Sequence, residues 1–296
     1  MMPFSFWQGD KVFLYLAFNC KNEKLKTIIM DKKQKTAGGF SAIIAFLAIA
    51  LSLIAGIMIY QFIFGDPGNF VDRNPENEPV EGNLLGVIYK GGFIVPGLVA
   101  INIIILIFSI ERLVTLMLAN GKGKANKFIE NIKELMSAKN YAGAIEACDA
   151  QKGSLANVVR AGLVKYQLMA NDSHMDKEQK LESLKKELEE ATALELPMLS
   201  KNLPVLSTTA SIATLIGLIG TVLGMIRSFA AMSQGAPDTA ELSTGISEAL
   251  INTALGITGS TIAIIMFNFF STKIDAMTYS IDEASFTIVQ DYAANN

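Results

Sequence analysis

The sequence predicts an all-α polytopic membrane protein with four transmembrane helices and a helical insert between the second and the third. Only 18% of its 296 residues are charged, whereas 51% are hydrophobic, which is unusual for a soluble domain. Four apolar runs are each long enough to cross roughly 30 Å of hydrocarbon at about 1.5 Å of rise per helical residue. A polar stretch with helical periodicity separates the second run from the third.

Charged residues, Pro or Gly bound each apolar run and set its predicted limits. The predicted transmembrane helices are residues 40–64, 92–118, 203–232 and 245–270. The segments outside them are residues 1–39, 65–91, 119–202, 233–244 and 271–296. Within the insert, helical patterns cover residues 126–137 and 176–196, with shorter helices between them. Pro96, Pro197 and Pro204 are expected to kink their helices without ending them.

The segment before the first run contains a short apolar stretch, residues 12–18, that is too short to span a membrane. It also lacks the small-residue cleavage site of a secretory signal. Met30 is followed by Asp31 and by a lysine-rich sequence that suits a cytoplasmic lead into a first span. The sequence leaves open whether translation starts at Met1 or at Met30.

The distribution of Lys and Arg predicts the orientation, because basic segments are retained on the cytoplasmic side of a membrane. Seven lysines precede the first span, and thirteen basic residues lie in the insert. Residues 65–91 carry only Arg73 and Lys90 among five acidic residues, and residues 233–244 carry no basic residue. We therefore expect a multi-pass protein with both termini and the insert in the cytoplasm.

Small and hydroxylated residues follow one face of each of the last two spans, because residues three or four positions apart share a helix face. The third span carries Ser207, Ala210, Thr214, Gly217, Thr221, Gly224 and Ser228. The fourth carries Gly245, Ala249, Asn252, Gly256, Gly259 and Ala263. Such residues let helix backbones approach closely, and we assign this packing role to Gly217, Gly220, Gly224, Gly256 and Gly259.

Glu248 is not explained by close packing, because an ionisable residue inside a span costs about 2.5–3.5 kcal/mol on insertion scales and normally faces water or a partner. Asp238, Thr239 and Glu241 form a capping pattern that starts the fourth helix at Thr239. Glu248 then lies about 14 Å along that helix, which favours a channel over a carboxylate that snorkels to the surface. Arg227, near the outer end of the third span, is expected to snorkel.

Other classes of site are disfavoured. Cys20, Cys148 and His174 are too few for a structural zinc site, and no cofactor is expected. The basic residues do not form a continuous stripe along a helix, as a nucleic-acid-binding surface would require. The sequence shows no nucleophile–base pair of the kind that an enzyme would need. The spacing of Gly217, Gly220 and Gly224 lies within an apolar run without a preceding strand, so it does not indicate a dinucleotide site.

Two stretches of the last spans resemble the ExbB and TolQ subunits of the MotA/TolQ/ExbB proton channel family. They are residues 217–226, GLIGTVLGMI, and residues 245–256, GISEALINTALG, and the resemblance closes on Phe267 and Asn268. It extends more weakly to residues 109–113, 144–148 and 160–163, and covers roughly residues 90–275. The chain departs from the family at Thr214, where Pro is usual, and in its first span, which is extra to the usual three.

The resemblance implies a non-enzymatic stator in the bacterial inner membrane that converts proton motive force into work for outer-membrane transport or envelope maintenance. Its implied partners are an ExbD/TolR-like single-span subunit, a TonB/TolA-like energy transducer and further copies of itself in a homopentamer. Thr221 and Thr253 would be pore hydroxyls beside an Asp of the partner, and Glu248 the acidic pore residue, with Asn252 in the same pathway. A flagellar-type MotA-like stator and a non-conducting membrane scaffold remain the alternatives.

Overall fold

The computed structural model describes residues 46–170, 175–232 and 239–295. The chain divides into two compact units, Met1–Ser52 and Leu53–Asn296. In the described residues the regular elements are helices, with one isolated β-bridge between Phe70 and Pro79, so the all-α prediction is confirmed. Within the part of the chain that the structure describes, four helices are long and apolar enough to cross a membrane, as predicted. Met30, residues 12–18, residues 40–45, His174 and Asp238 lie outside the described residues.

The first spanning helix, α1, covers Phe46–Phe64, and its last six residues, Ile59–Phe64, form a π-helix. The connection that follows, residues 65–91, is called the loop cap here. It contains 3₁₀ turns at Pro67–Asn69 and Val71–Arg73 and the short helix α2, Leu84–Tyr89. The side-chain amide of Asn69 donates to the carbonyls of Ile63 and Phe64, which satisfies carbonyls at the end of α1.

Aromatic rings and one lysine hold the loop cap together. The ring of Tyr89 stacks on that of Tyr60 at 4.7 Å between centroids and meets Phe70 edge-on at 5.4 Å. The Lys90 ammonium donates to two backbone carbonyls, those of Pro75 and Glu76, at 3.0 and 2.9 Å. Burial lowers the pKa of Lys90, although the charges of nearby Glu78 and Glu76 oppose that shift. The loop cap is therefore a packed structure.

Three long helices form the membrane bundle: α3, Val95–Ala119, which follows a 3₁₀ turn at Gly92–Ile94, α8, Leu203–Met232, and α9, Thr239–Asn295. The bounds of α8 coincide with the predicted third span. Pro96 and Pro204 lie in the first turns of α3 and α8, where a missing N–H removes no helical hydrogen bond. Contrary to expectation, neither position requires a kink.

The described part of the insert contains four helices: α4, Ala125–Ser137, α5, Tyr141–Gln151, α6, Gly153–Ala170, and α7, Lys177–Ser200. Asp176 caps α7 in a capping box with Gln179, and the helix continues through Pro197 as expected. Side chains of α4 to α7 share one hydrophobic core, which also buries Cys148. Burial, with a smaller contribution from Asp149, raises the pKa of the Cys148 thiol to about 12, so the thiol stays protonated at neutral pH.

The helix that contains the fourth predicted span, residues 245–270, extends beyond that span. It is one helix of 57 residues, α9, from Thr239 to Asn295. Beyond the apolar run, Ile281, Ile288 and Tyr292 are buried in the core of the insert. Their helical spacing gives α9 an apolar stripe that completes this core. The predicted C-terminal tail is therefore an integral part of the insert.

A buried arginine joins the bundle to the insert. The Arg112 side chain, 1% exposed, donates to both carboxylate oxygens of Glu111 at 2.7 and 2.6 Å and to the carbonyl of Leu199 at the end of α7. Asn202, in the left-handed conformation between α7 and α8, also donates to Glu111. These contacts fix the α7–α8 junction against the insert end of α3.

Candidate functional site

The helices α8 and α9 run antiparallel and pack closely where glycines face each other. A Cβ added at Gly224 would lie 2.6 Å from the carbonyl oxygen of Gly245, and one at Gly256 would lie 2.7 Å from that of Ala213. Gly217 and Gly220 face the α9 backbone at Asn252 and the Asn252 side chain. Gly259 faces another helix, because its added Cβ would meet the Asn102 amide of α3 at 2.8 Å. The structure thus places all five predicted packing glycines at helix contacts.

Two threonines meet in the middle of this interface. The hydroxyls of Thr221 on α8 and Thr253 on α9 are hydrogen-bonded to each other. Thr221 also approaches the carbonyl oxygen of Gly217 at 3.3 Å, and Thr253 approaches that of Ala249 at 3.1 Å. Each hydroxyl has one proton to donate and lone pairs that accept, so the pair can switch donor and acceptor roles. Both side chains are partly exposed, which leaves this pair accessible from one side of the bundle.

Asn252 ties the fourth span to the loop cap. Its side chain is fully buried against Gly220, and its amide nitrogen donates to the carbonyl of Gly91 at 2.8 Å. Its side-chain oxygen Oδ1 accepts no hydrogen bond from the described residues. Asn252 therefore contacts an element 161 positions away in the chain.

Glu248 lies one helical turn before Asn252, and its side chain is only 4% exposed. Its Oε2 accepts a hydrogen bond of 2.6 Å from Nη1 of Arg227, whose side chain is 55% exposed. The Arg227 guanidinium also lies 5.9 Å from the centre of the Phe93 ring. Arg227, which was expected to snorkel, thus also compensates the charge of a buried carboxylate.

A cleft of about 480 Å³ continues the polar face from the threonine pair toward the insert end of the bundle. Four hydroxyl residues share its wall with apolar neighbours: Ser207, Ser211, Thr214 and Ser260. Thr214, where the family pattern has Pro, keeps α8 helical and contributes a hydroxyl to this cleft. The bundle thus carries an ion pair near its loop end, a hydroxyl pair in the middle and a hydroxylated cleft beyond.

Periodicity placed Thr221 and Asn252 on the small-residue faces of their helices, the cost of an intramembrane charge singled out Glu248, and the family resemblance added Thr253. The structure brings the two helix faces together. Periodicity could not find the Arg227 ion pair or the contacts of Gly91, since they depend on the register between helices and on the loop. The matching small-residue faces of the two spans were a signal that could have found the ion pair. If these faces pack antiparallel with Gly224 against Ala249, as they do in the structure, Arg227 lies beside Glu248. Within the described residues, no group of three or more His, Cys, Asp or Glu side chains is arranged to hold a metal ion.

Comparison with known proteins identifies one family. Residues 150–283 match the model of the MotA/TolQ/ExbB proton channel family. This match begins at the end of α5 and covers the rest of the insert, all of α8 and most of α9, including every residue of the threonine pair and the ion pair. No curated protein matches the chain.

Proposed function

Because residues 150–283 belong to the MotA/TolQ/ExbB proton channel family, we propose that this chain is the channel subunit of a proton-driven motor in a bacterial inner membrane. In this proposal the chain forms a homopentamer around an ExbD/TolR-like single-span subunit. A TonB/TolA-like transducer carries the work to outer-membrane transport or envelope maintenance. Both termini and the insert face the cytoplasm, and the chain performs no enzymatic reaction and needs no cofactor.

The observation that carries this proposal is the hydrogen-bonded pair of Thr221 and Thr253 between two spanning helices. A proton that crosses an apolar constriction needs side chains that both donate and accept hydrogen bonds, and hydroxyl pairs meet this requirement. Glu248 lies on the loop side of the pair, and the hydroxylated cleft lies on its insert side. The interface thus carries hydroxyl groups along its length together with a buried carboxylate, and membrane helices rarely contain such a carboxylate without a functional reason.

One structural feature favours a second candidate, a flagellar-type MotA-like stator: the four helices that can span a membrane. The identity of the single-span partner separates the two functions. Purification of the chain from its native membrane in mild detergent, followed by mass spectrometry, should recover an ExbD/TolR-like protein. Recovery of a flagellar stator partner would support the second candidate.

The test of channel function is the loss of the Glu248 carboxylate. Vesicles that contain the chain with its co-purified partner should take up protons under an imposed potential, and Glu248→Gln should reduce this uptake to the level of vesicles without partner. Glu248→Ala should do the same while insertion and abundance stay normal, because it removes a charge that is costly inside a membrane. The matched control is Glu241→Gln, an exposed position in the first turn of α9. Wild-type uptake in both Glu248 variants would leave a non-conducting scaffold as the better interpretation.

A further inference from the structure

Three consecutive residues at the entry to α3 each contact a different polar residue of the α8–α9 interface. The carbonyl of Gly91 accepts from the Asn252 amide at 2.8 Å. The backbone of Gly92 lies against the Glu248 carboxyl group. The ring of Phe93 lies beneath the Arg227 guanidinium at 5.9 Å. This 91–93 segment therefore borders the whole loop end of the site.

Two independent features disfavour a side chain at the position of Gly92. Its φ of +77° lies in the left-handed region, which side chains other than Gly rarely adopt. A Cβ at this position would also collide with Oε1 of Glu248 and would lie 2.9 Å from its Cδ. Oε1 accepts no hydrogen bond from the described residues, so the bare backbone of Gly92 is what limits the carboxylate on this side.

The loop cap holds the 91–93 segment in place. Tyr89 stacks on Tyr60, whose hydroxyl donates to the Tyr89 carbonyl at 3.1 Å. The Lys90 ammonium is anchored on the carbonyls of Pro75 and Glu76 across the cap. The two residues that precede Gly91 are therefore fixed by contacts within the cap and α1, and these contacts carry the segment onto Glu248.

We propose that the 91–93 segment is a positioning element for the Glu248–Arg227 pair, through which the loop cap governs the geometry and accessibility of the pore acid. This inference rests on the proposed function, because it assigns a role to the acid of that channel. Gly92 confines the carboxylate from one side, Phe93 places the guanidinium, and Gly91 orients Asn252 beside them. A protein that binds or displaces the loop cap would thereby alter the channel without touching a spanning helix.

The test compares two alanine substitutions at left-handed glycines. Gly92→Ala introduces backbone strain together with a collision with Glu248. Gly82→Ala introduces comparable strain, since the φ of Gly82 is +80°, but its Cβ meets no atom within 4 Å. We expect proton uptake to fall several-fold in Gly92→Ala and to stay near the wild-type level in Gly82→Ala. Equal effects of the two variants would reduce the role of Gly92 to backbone strain and overturn the proposal.

A second-site change separates positioning from general damage. Glu248→Asp withdraws the carboxylate by one methylene and makes room for the Cβ of Ala at position 92. Each single variant should be impaired, and the double variant Gly92→Ala/Glu248→Asp should recover part of the uptake that Gly92→Ala loses. Additive losses in the double variant would show that the two residues do not act on each other.

A readout without transport keeps this inference distinct from the proposed function. The purified chain is treated with a hydrophobic carbodiimide, and modification of Glu248 is followed by mass spectrometry. Modification should be slow in the wild type and in Gly82→Ala, and several-fold faster in Gly92→Ala, because the displaced carboxylate is no longer confined. Accelerated labelling without proton transport in any variant would support the positioning role and contradict the channel. Unchanged labelling in Gly92→Ala would contradict the positioning role alone.

Discussion

The hydroxyl groups of Thr221 and Thr253 can be separated from the packing around them by one substitution. Val has nearly the shape of Thr but has no polar atom on its side chain. Their mutual hydrogen bond lies between two helices that already pack through glycines. Loss of the hydroxyls should therefore leave the helix contact in place.

We predict that Thr221→Val and Thr253→Val assemble normally but lose most partner-dependent proton uptake, whereas Thr→Ser at either position retains much of it. The control is Thr258→Val, because the Thr258 side chain is exposed and its hydroxyl donates to the carbonyl of Ala254 in its own helix. Native gel electrophoresis reports assembly, and vesicle acidification reports uptake. Identical behaviour of all three valine variants would mean that the hydroxyls serve packing alone.

How far the site was predictable differs from residue to residue. Helical periodicity found Thr221, because it belongs to the small-residue face of its helix, and the cost of a charge inside a span singled out Glu248. Sequence reasoning missed that Arg227 neutralises Glu248, since this depends on how two helices align. It also could not find Gly92, which reaches the site only through the folded loop cap.

At the scale of elements, α8 and α9 pack closely because glycines at their contact carry no side chains that would hold the two backbones apart. Gly224 faces the backbone of Gly245 and Ala249 on α9, whereas an added Cβ at Gly97, in the first turn of α3, would meet nothing within 4 Å. The same substitution at these two helical glycines therefore tests packing against intrinsic helix propensity.

We predict that Gly224→Ala lowers the free energy of unfolding by about 1–3 kcal/mol, because the added methyl overpacks a helix contact. Gly97→Ala should be neutral or stabilising by up to roughly 1 kcal/mol, since Ala favours helix over Gly. Thermal unfolding of the purified protein in one detergent measures both. A stable Gly224→Ala variant would show that the helices separate easily at this point.

The predicted third span has the same bounds as α8, and the helical pattern predicted at residues 176–196 corresponds to α7, Lys177–Ser200. The sequence did not reveal that α9 continues through residues 271–295. The apolar residues there are mixed with exposed polar ones, and a membrane-span criterion discards such an amphipathic pattern. Ile281 and Ile288 become core residues only because α4 to α7 surround them.

At the scale of the whole molecule, the orientation in the membrane is a prediction from the Lys and Arg bias, and it can be measured directly. In a Cys20→Ser background, a membrane-impermeant thiol reagent added from outside should label Glu81→Cys in the loop cap and spare Lys186→Cys in the insert. Both positions are exposed. Cys148 can stay, because it is buried and its raised pKa keeps the thiol protonated. Labelling of the insert variant alone would reverse the orientation.

Because α9 is unbroken, the rotation of its membrane-spanning part about the helix axis fixes the rotation of the part that packs in the insert. Its residues from Thr239 to Asn295 share one helical axis, so every added residue turns all that follows by about 100° and advances it by about 1.5 Å. A single insertion between Phe270 and Ile274 would rotate Ile281 and Tyr292 away from the insert core while leaving the threonine pair in place. Substitutions at exposed Thr272 or Lys273 should be tolerated there, whereas a change in the number of residues should not. At this junction the number of residues matters more than the type of each residue.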